Sequence, residues 1–537
     1  MVKASWSALR LLAILPVFLN CATVTVASLK FKSHTGLNAQ KDSTAQKYVP
    51  GGYVVLFKNE AASTSLKAND RTESVDDTVH TAFEQFLSQK SVPYTTRIKF
   101  TSTNIISAMS LQLHNEDDLS VLHSFDGTAD VFKIGVSSIN SVKPVRGAMH
   151  DRSASHERRS SNSGNAIAAV QDTFTPHIMT GIDKVHADGN LGQGIVIGLL
   201  DDGVDYTHHA LNGGLKDGVP CLGHSCPISG GMSFSEANNK VSTSSDPFPH
   251  CNDEGEWGHG THTAGTIIAD DKIRGFTGGS PRAQLKAYRV LDCEGNAPDD
   301  IVAAAMQRAS FDGVDLISMS LGRSSGWRES FLDIVSKRIT DAGMPIVTSS
   351  GNDGGAGAFC TYAPAGGEGV HTVGSVGNLH IPGFTATVKT KSSSFTFVYA
   401  AANPVSLNGS QSLPVFLNSL TGVDDTCAPL KKGISLEHSI PVIAIGDGCY
   451  TKDQANNVIA ANANIALWYI DSSSPLLTVY VDIGIPGFQP LITDEKSGKR
   501  IVEAVKAEGD VTIDFSNPEA SYIEDNVEGG FTAFYSS

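Results

Sequence analysis

The chain has 537 residues, 40% hydrophobic and 18% charged, a globular balance with room for two to four domains. Its formal charge of −16 argues against nonspecific nucleic-acid binding, because phosphate contacts need a basic face. The acidity favours solubility but names no partner.

The chain opens "MVKASWSALRLLAILPVFLNCATVTVAS": a basic start, an apolar run, then the small residues Thr25 and Ala27. This predicts a signal peptide over 1–27, removed before Ser28, and a secreted product. Asn20 and the threonines make the run a poor membrane span, and no later segment is apolar enough to cross a bilayer, so no membrane partner is expected. Secretion permits disulfides. After loss of Cys21 the cysteines are Cys221, Cys226, Cys251, Cys293, Cys360, Cys427 and Cys449, an odd set that leaves one free thiol or a partner outside the chain. Cys427 and Cys449 flank the strand-like "SIPVIAI" and are expected to pair. Cys221 with Cys226, and Cys293 with Cys360, are secondary pairings that leave Cys251 alone. Asn408 in "NGS" is an acceptor for N-glycosylation.

Residues 28–150 read as one small α+β unit. "GGYVVLFK" is a strand. "SVDDTVHTAFEQFLSQK" has helical spacing of Val75, Val79, Ala82, Phe83, Phe86 and Leu87, with Ser74 and Asp77 in a capping-box pattern. "SAMSLQLH" alternates as a strand does, "NEDDLSVLHSF" is a short helix capped by Asn115, and "DVFKIGVSSINSVKPV" extends again. A further strand is possible in "TRIKF", which makes the unit ferredoxin-like, of the split βαβ kind. Residues 151–164 are Ser-rich, contain the dibasic Arg158-Arg159, and read as an exposed linker.

From about 165 to 384 the texture is α/β. "GIVIGLL", "AQLKAYRVL" and "DLISMSL" are continuous apolar runs of the kind buried parallel strands require. "DDIVAAAMQRASFDG" and "WRESFLDIVSKRITDAG" are helices closed by Gly, and "MPIVTSS" and "VHTVGSV" are further strands. The alternation predicts a doubly wound, mainly parallel sheet with its site at the carboxyl ends of the strands. Residues 385–515 mix strand-like pieces with one helix, "TKDQANNVIAANA", and read as an inserted β-rich domain, after which 516–537 return to the first fold.

Three strand ends carry chemistry. "GIVIGLLDDGVDYTHHAL" puts Asp201 where a strand gives way to a turn, "GHGTHTAGT" puts His259 at a helix start, and "PIVTSSGNDGG" puts Asn352 just past another strand. A carboxylate, an imidazole and a side-chain amide on one rim are parts for acyl transfer. These segments resemble the aspartate, histidine and oxyanion-asparagine motifs of the subtilisin-like serine proteases. The resemblance implies Asp201 and His259 as triad members, Asn352 as oxyanion donor, and Ser320, Leu321 and Gly322 of "SMSLG" as the strand that pairs with substrate backbone. It further implies that 28–150 is an inhibitory propeptide, that the insert is a protease-associated domain, and that the substrates are proteins or peptides. No cofactor is implied with certainty; structural calcium is possible, with no ligand set identified.

Competing readings attach to several residues. His259 and His262 stand three apart with Gly260 and Thr261 between, whereas a zinc helix motif wants a spacing of four with a Glu inside, so no metal is expected there. His262 is expected to pack or to support the site. Asp202 follows the candidate acid in a "DDG" like that of the kexin branch; the favoured expectation is a solvated turn carboxylate, the alternative an acidic wall near substrate. "GRSSG" matches G-x-S-x-G, with Ser324 as an α/β-hydrolase nucleophile, but that fold places its acid and histidine after the serine. The family's serine stands in a "GTSMA"-like segment, and no "GTS" occurs in the sequence. The nucleophile is therefore expected beyond Ser537, as is a helix whose loss should bare apolar surface on "GIVIGLL" and "MPIVTSS". The other class of function is a non-catalytic fragment, an inhibitory prodomain with a peptide-binding remnant.

Overall fold

A computed structural model describes residues 47–58, 76–102, 105–139, 174–237, 240–250, 258–272, 275–354, 357, 360–401, 405, 412–418, 426–445, 451–469, 488–524, 529–533 and 536–537. The expected signal peptide, the linker with Arg158-Arg159, the sequon at Asn408, Cys251 and Cys449 lie outside these residues.

The first unit runs strand Tyr48–Phe57, helix Thr78–Gln89, strands Tyr94–Thr101 and Ser107–Leu113, helix Leu119–Ser124, strand Thr128–Ser138. The strand hidden around "TRIKF" forms, and the four strands make an antiparallel sheet in the order fourth, first, third, second. Asn115 caps as expected, accepting the Asp117 amide at 3.2 Å. Ser74, the expected cap of the first helix, lies outside the described residues. The first helix starts at Thr78, whose amide bonds to Asp76 Oδ1 at 2.8 Å.

Alternation alone suggests one wet face for this sheet, but both faces are buried. Tyr53, Val55, Phe57, Met109 and Leu111 pack on Phe83, Leu87 and Leu122 of the unit's own helices. The intervening Val54, Leu56 and Ala108 join a core with Ile301, Phe331, Leu332 and Val335 from the larger domain. Period-two alternation carries apolar groups to both faces here, which the unbroken "VVLF" run requires.

The larger domain has a seven-stranded sheet. Its order is His371–Val373, Ile346–Ser349, Leu316–Met319, Val196–Asp201, Gln284–Arg289, Ile228–Ala237, Lys240–Ser244. Every neighbouring pair is parallel except the last, a hairpin. Helices His259–Ile268, Asp299–Phe311 and Phe331–Asp341 cover it. The last begins later than its sequence suggests because Ser330 caps it, accepting the Asp333 amide at 3.2 Å. Within "GIVIGLL" and "MPIVTSS", Leu199, Leu200 and Ile346 are buried, whereas Ile195 is exposed. Exposed apolar side chains also occur at the edge beyond them, at Val373, Val376 and Phe531.

Residues 380–524 build a second sheet, wider than the expected 385–515 because His380–Phe384 pairs with Ala520–Glu524. It is less purely β than its texture suggests. Four neighbouring strands, Ser412–Phe416, Ile440–Ala444, Ile465–Tyr469 and Gln489–Thr493, run parallel. A second helix, Glu495–Glu508, accompanies the expected one at Thr451–Ile459. The sequence hides that helix behind Gly498, which is there for contact rather than freedom: a Cβ would lie 2.0 Å from Tyr469 Cβ.

The Cys221–Cys226 bond forms with Cα atoms 5.5 Å apart. Cys293, Cys360 and Cys427 are also disulfide-bonded, and no cysteine is free among the described residues.

The first unit is tied to the larger domain by a buried ion cluster. Arg97 donates to Asp300 at 2.8 Å and to Glu236 at 2.9 Å, with the Arg97 and Asp300 side chains fully buried. Asp299 accepts from Ser137 at 3.0 Å and from Arg323 at 2.9 Å. Both acids open the helix Asp299–Phe311, where the dipole favours them. Truncating Arg97 strands a buried carboxylate, which costs about 3–5 kcal/mol. Arg97→Ala is expected to lower the first thermal transition and speed proteolytic loss of the first unit, followed by calorimetry and limited proteolysis.

Candidate active site

Asp201 ends the central strand Val196–Asp201, and His259 begins the helix His259–Ile268. Parallel neighbours on both sides fix that strand end, so Asp201 sits at the carboxyl rim with its side chain 1% exposed. Its Oδ1 lies 2.7 Å from His259 Nδ1, and its Oδ2 accepts the Thr263 hydroxyl at 3.1 Å. The bond to Nδ1 leaves Nε2 to face the cleft. Burial opposes a charge on His259, yet the hydrogen bond and charge of Asp201, with the charge of Asp202, hold its pKa above the ordinary value. The arrangement suits a base that must accept a proton and stabilise the resulting cation.

Asp202 is neither a solvated carboxylate nor a wall of the cleft. It is 3% exposed, and its two oxygens accept the backbone amides of His259 at 2.9 Å and Gly260 at 2.6 Å. Burial, then the Asp201 charge, push its pKa up to about 6, against the two amide bonds and His259, which pull it down. Gly260 is required at this junction: a Cβ would lie 2.2 Å from the Gly203 carbonyl oxygen and 2.8 Å from Asp202 Oδ1. His262, expected to pack or to support the site, is exposed.

His259, Ser320, Leu321 and Asn352 line one cleft, so four of the predicted site residues come together. Gly322 adjoins it through its backbone. The surprise is what stands beside them. Ser138 at the end of the first unit donates to the Gly322 carbonyl at 2.9 Å and accepts from its amide at 3.3 Å, an antiparallel bridge. Ile139 donates to the Gly295 carbonyl at 3.2 Å, and both residues line the cleft. The strand Asn296–Pro298 extends the first unit's sheet along the same seam. Ser349, Gly351 and Tyr362 complete the lining. Nothing in the residue types of Ser138 or Ile139 signals this placement; it follows from docking.

Ser324 is not part of the cleft lining. It lies in the two-residue strand Arg323–Ser324, paired antiparallel with Tyr362–Ala363, rather than on a strand-to-helix elbow. Among the described residues no group of three or more His, Cys, Asp or Glu is placed to hold a metal ion.

A doubly wound parallel sheet with a hydrogen-bonded Asp–His pair at its carboxyl rim, beside a strand whose backbone already pairs with an extended segment, is an arrangement that suits acyl transfer. Residues 192–518 match the family model of the subtilases (Peptidase_S8), and the chain belongs to the subtilase family of serine-type peptidases. It is similar to minor extracellular protease Vpr of Bacillus subtilis (strain 168), 26% identical over 347 residues, which cover 64% of this chain and 39% of that one. Subtilisin DY of Bacillus licheniformis is 30% identical over 195 residues, 36% of this chain and 61% of that one. Among solved structures, fervidolysin from Fervidobacterium pennivorans, titled a keratinolytic enzyme related to subtilisin, aligns at 18% identity with a TM-score of 0.41, covering 63% of this chain and 45% of that one. The chain thus spans less than two thirds of the length of each.

Replacing Asp201 removes both the hydrogen bond and the charge that favour the imidazolium. Asp201→Asn is expected to lower the His259 pKa, read from the Cε1–H resonance across a pH series.

Proposed function

We propose that this chain belongs to a secreted serine endopeptidase, made as a zymogen. The observation that carries the reading is the Asp201–His259 bond of 2.7 Å in a cleft shared with Ser320, Leu321 and Asn352. Asp201 holds the Nδ1 proton of His259, and Nε2 takes the proton of a serine hydroxyl as its oxygen bonds to the substrate carbonyl carbon. Asn352 donates to the oxygen that becomes negative. His259 then returns the proton to the leaving amine as the C–N bond breaks. Ser320 to Gly322 pair with the substrate backbone. The serine belongs to a "GTSMA"-like segment that these 537 residues do not contain.

Residues 28–150 act as the inhibitory propeptide. The antiparallel bridge between Ser138 and Gly322 supports this, because a segment held there excludes a substrate strand. Residues 385–515, with their flanking pairings, form the protease-associated insert. Proteins and peptides are the substrates, and the first unit is the chain's own inhibitor. The apolar leader and the disulfide Cys221–Cys226 support an extracellular setting. Structural calcium, which the family resemblance allows, is assigned no ligands in this reading.

The test compares residues 28–537 with a version continued through the serine segment of the same transcript. Only the longer protein is expected to hydrolyse peptides after loss of its first unit, and a serine-directed reagent should block it. Asn352→Ala should lower its kcat about 10²–10³-fold, the usual effect of deleting one oxyanion donor. Ser324→Ala should leave it unchanged. Cleavage by the shorter chain that Ser324→Ala abolishes would overturn the assignment.

A further inference from the structure

The helix that carries His259 has no cap of its own. Its first flanking residue is Gly258, which offers no side-chain acceptor. Two amides at the head of that helix, those of His259 and Gly260, are taken up by one carboxylate from a strand end 57 residues away in sequence. The adjacent carboxylate, Asp201, takes the imidazole of the same histidine. Consecutive residues of one rigid strand end therefore grip both the backbone and the ring of His259.

We infer that Asp202 is a positioning residue of this site: its two oxygens fix the backbone of His259 and so the direction of the imidazole that Asp201 holds. The inference rests on the reading of His259 as the base. A hydroxyl at this position could accept one amide well; a carboxylate accepts both at once and places a full negative charge at a helix N-terminus. The site is not free of cost. Burial and the neighbouring Asp201 oppose the charge, whereas the two amides and His259 favour it. Among the described residues Arg289, on the adjacent parallel strand, also interacts with Asp202, and it feels Asp292 and Asp246 as well. When Asp202 takes up a proton, one oxygen becomes a donor facing an amide, and the grip on the helix head is reduced to a single bond. Loss of its charge also removes one of the influences that raise the His259 pKa. Asp202 and His259 therefore titrate as a coupled pair.

The experiment uses Asp202→Asn, which is isosteric but uncharged, and Asp202→Ser, which keeps one acceptor. The first readout needs no nucleophile. In residues 28–537 labelled at histidine Cε1, with the His259 signal assigned by His259→Gln, Asp202→Asn is expected to lower the His259 pKa. The second uses the protein continued through its serine. There kcat should fall about tenfold in Asp202→Asn with KM within about twofold, because the loss is in proton transfer and not in substrate pairing. The acid limb of kcat should move to lower pH and change from a two-proton to a one-proton slope. Asp202→Ser should recover part of kcat without restoring the two-proton slope. A His259 titration and acid limb that superimpose on the parent, with only thermal stability reduced, would overturn the inference. A shifted titration in a protein that cleaves no peptide would uphold the positioning role and defeat the protease reading instead.

Discussion

Everything at this site depends on one junction, where the end of the central strand meets the head of the helix that bears His259. Asp201 and Asp202 are adjacent in sequence and almost fully buried. Two neighbouring carboxylates in a protein interior are ordinarily unfavourable, through desolvation and mutual repulsion. Here each is answered by donors: an imidazole and a hydroxyl for Asp201, two helix amides for Asp202. The donors exist only because the helix arrives at that point, and the helix stops there because Gly260 lets its backbone come against Gly203. The junction is thus self-consistent, and removing any member leaves another buried and unsatisfied.

The rest of the larger domain holds the two sides of that junction still. Parallel strands on either side fix the Asp201 end, and the same sheet carries Leu316–Met319, beyond which Ser320, Leu321 and Gly322 form the edge of the cleft. The first unit uses a different physical device. Its sheet has no wet face, so it cannot bury its apolar surface alone, and the helices Asp299–Phe311 and Phe331–Asp341 supply the missing layer. The Arg97 cluster adds register to that apolar contact, because a buried guanidinium is tolerated only against its own acids. Register then delivers Ser138 and Ile139 to the cleft as backbone, with no demand on their side chains.

Much of the fold was legible because local pattern and global packing agree. The continuous runs "GIVIGLL" and "DLISMSL" are the centre of the parallel sheet, and the helical spacing of Phe83 and Leu87 is the inner face of a helix. What misled did so for local reasons. Gly498 masks a helix whose composition is otherwise polar, and it is present because Tyr469 leaves no room for a larger residue.

By itself the sequence determined the chemistry on offer: an acid at a strand end, a histidine at a helix start, an amide after another strand, in an order that resembles one protease family. Residue type and spacing suffice for that, because each motif is a local chain geometry. Only the tertiary structure decided which carboxylate serves the histidine ring and which serves its backbone. Asp201 and Asp202 are indistinguishable in type and adjacent in the chain, but Asp201 ends the strand and Asp202 opens the turn after it, so the two carboxylates meet different donors. Tertiary structure likewise placed Ser138 against Gly322, because backbone hydrogen bonds between distant segments carry no signature in the side chains that make them.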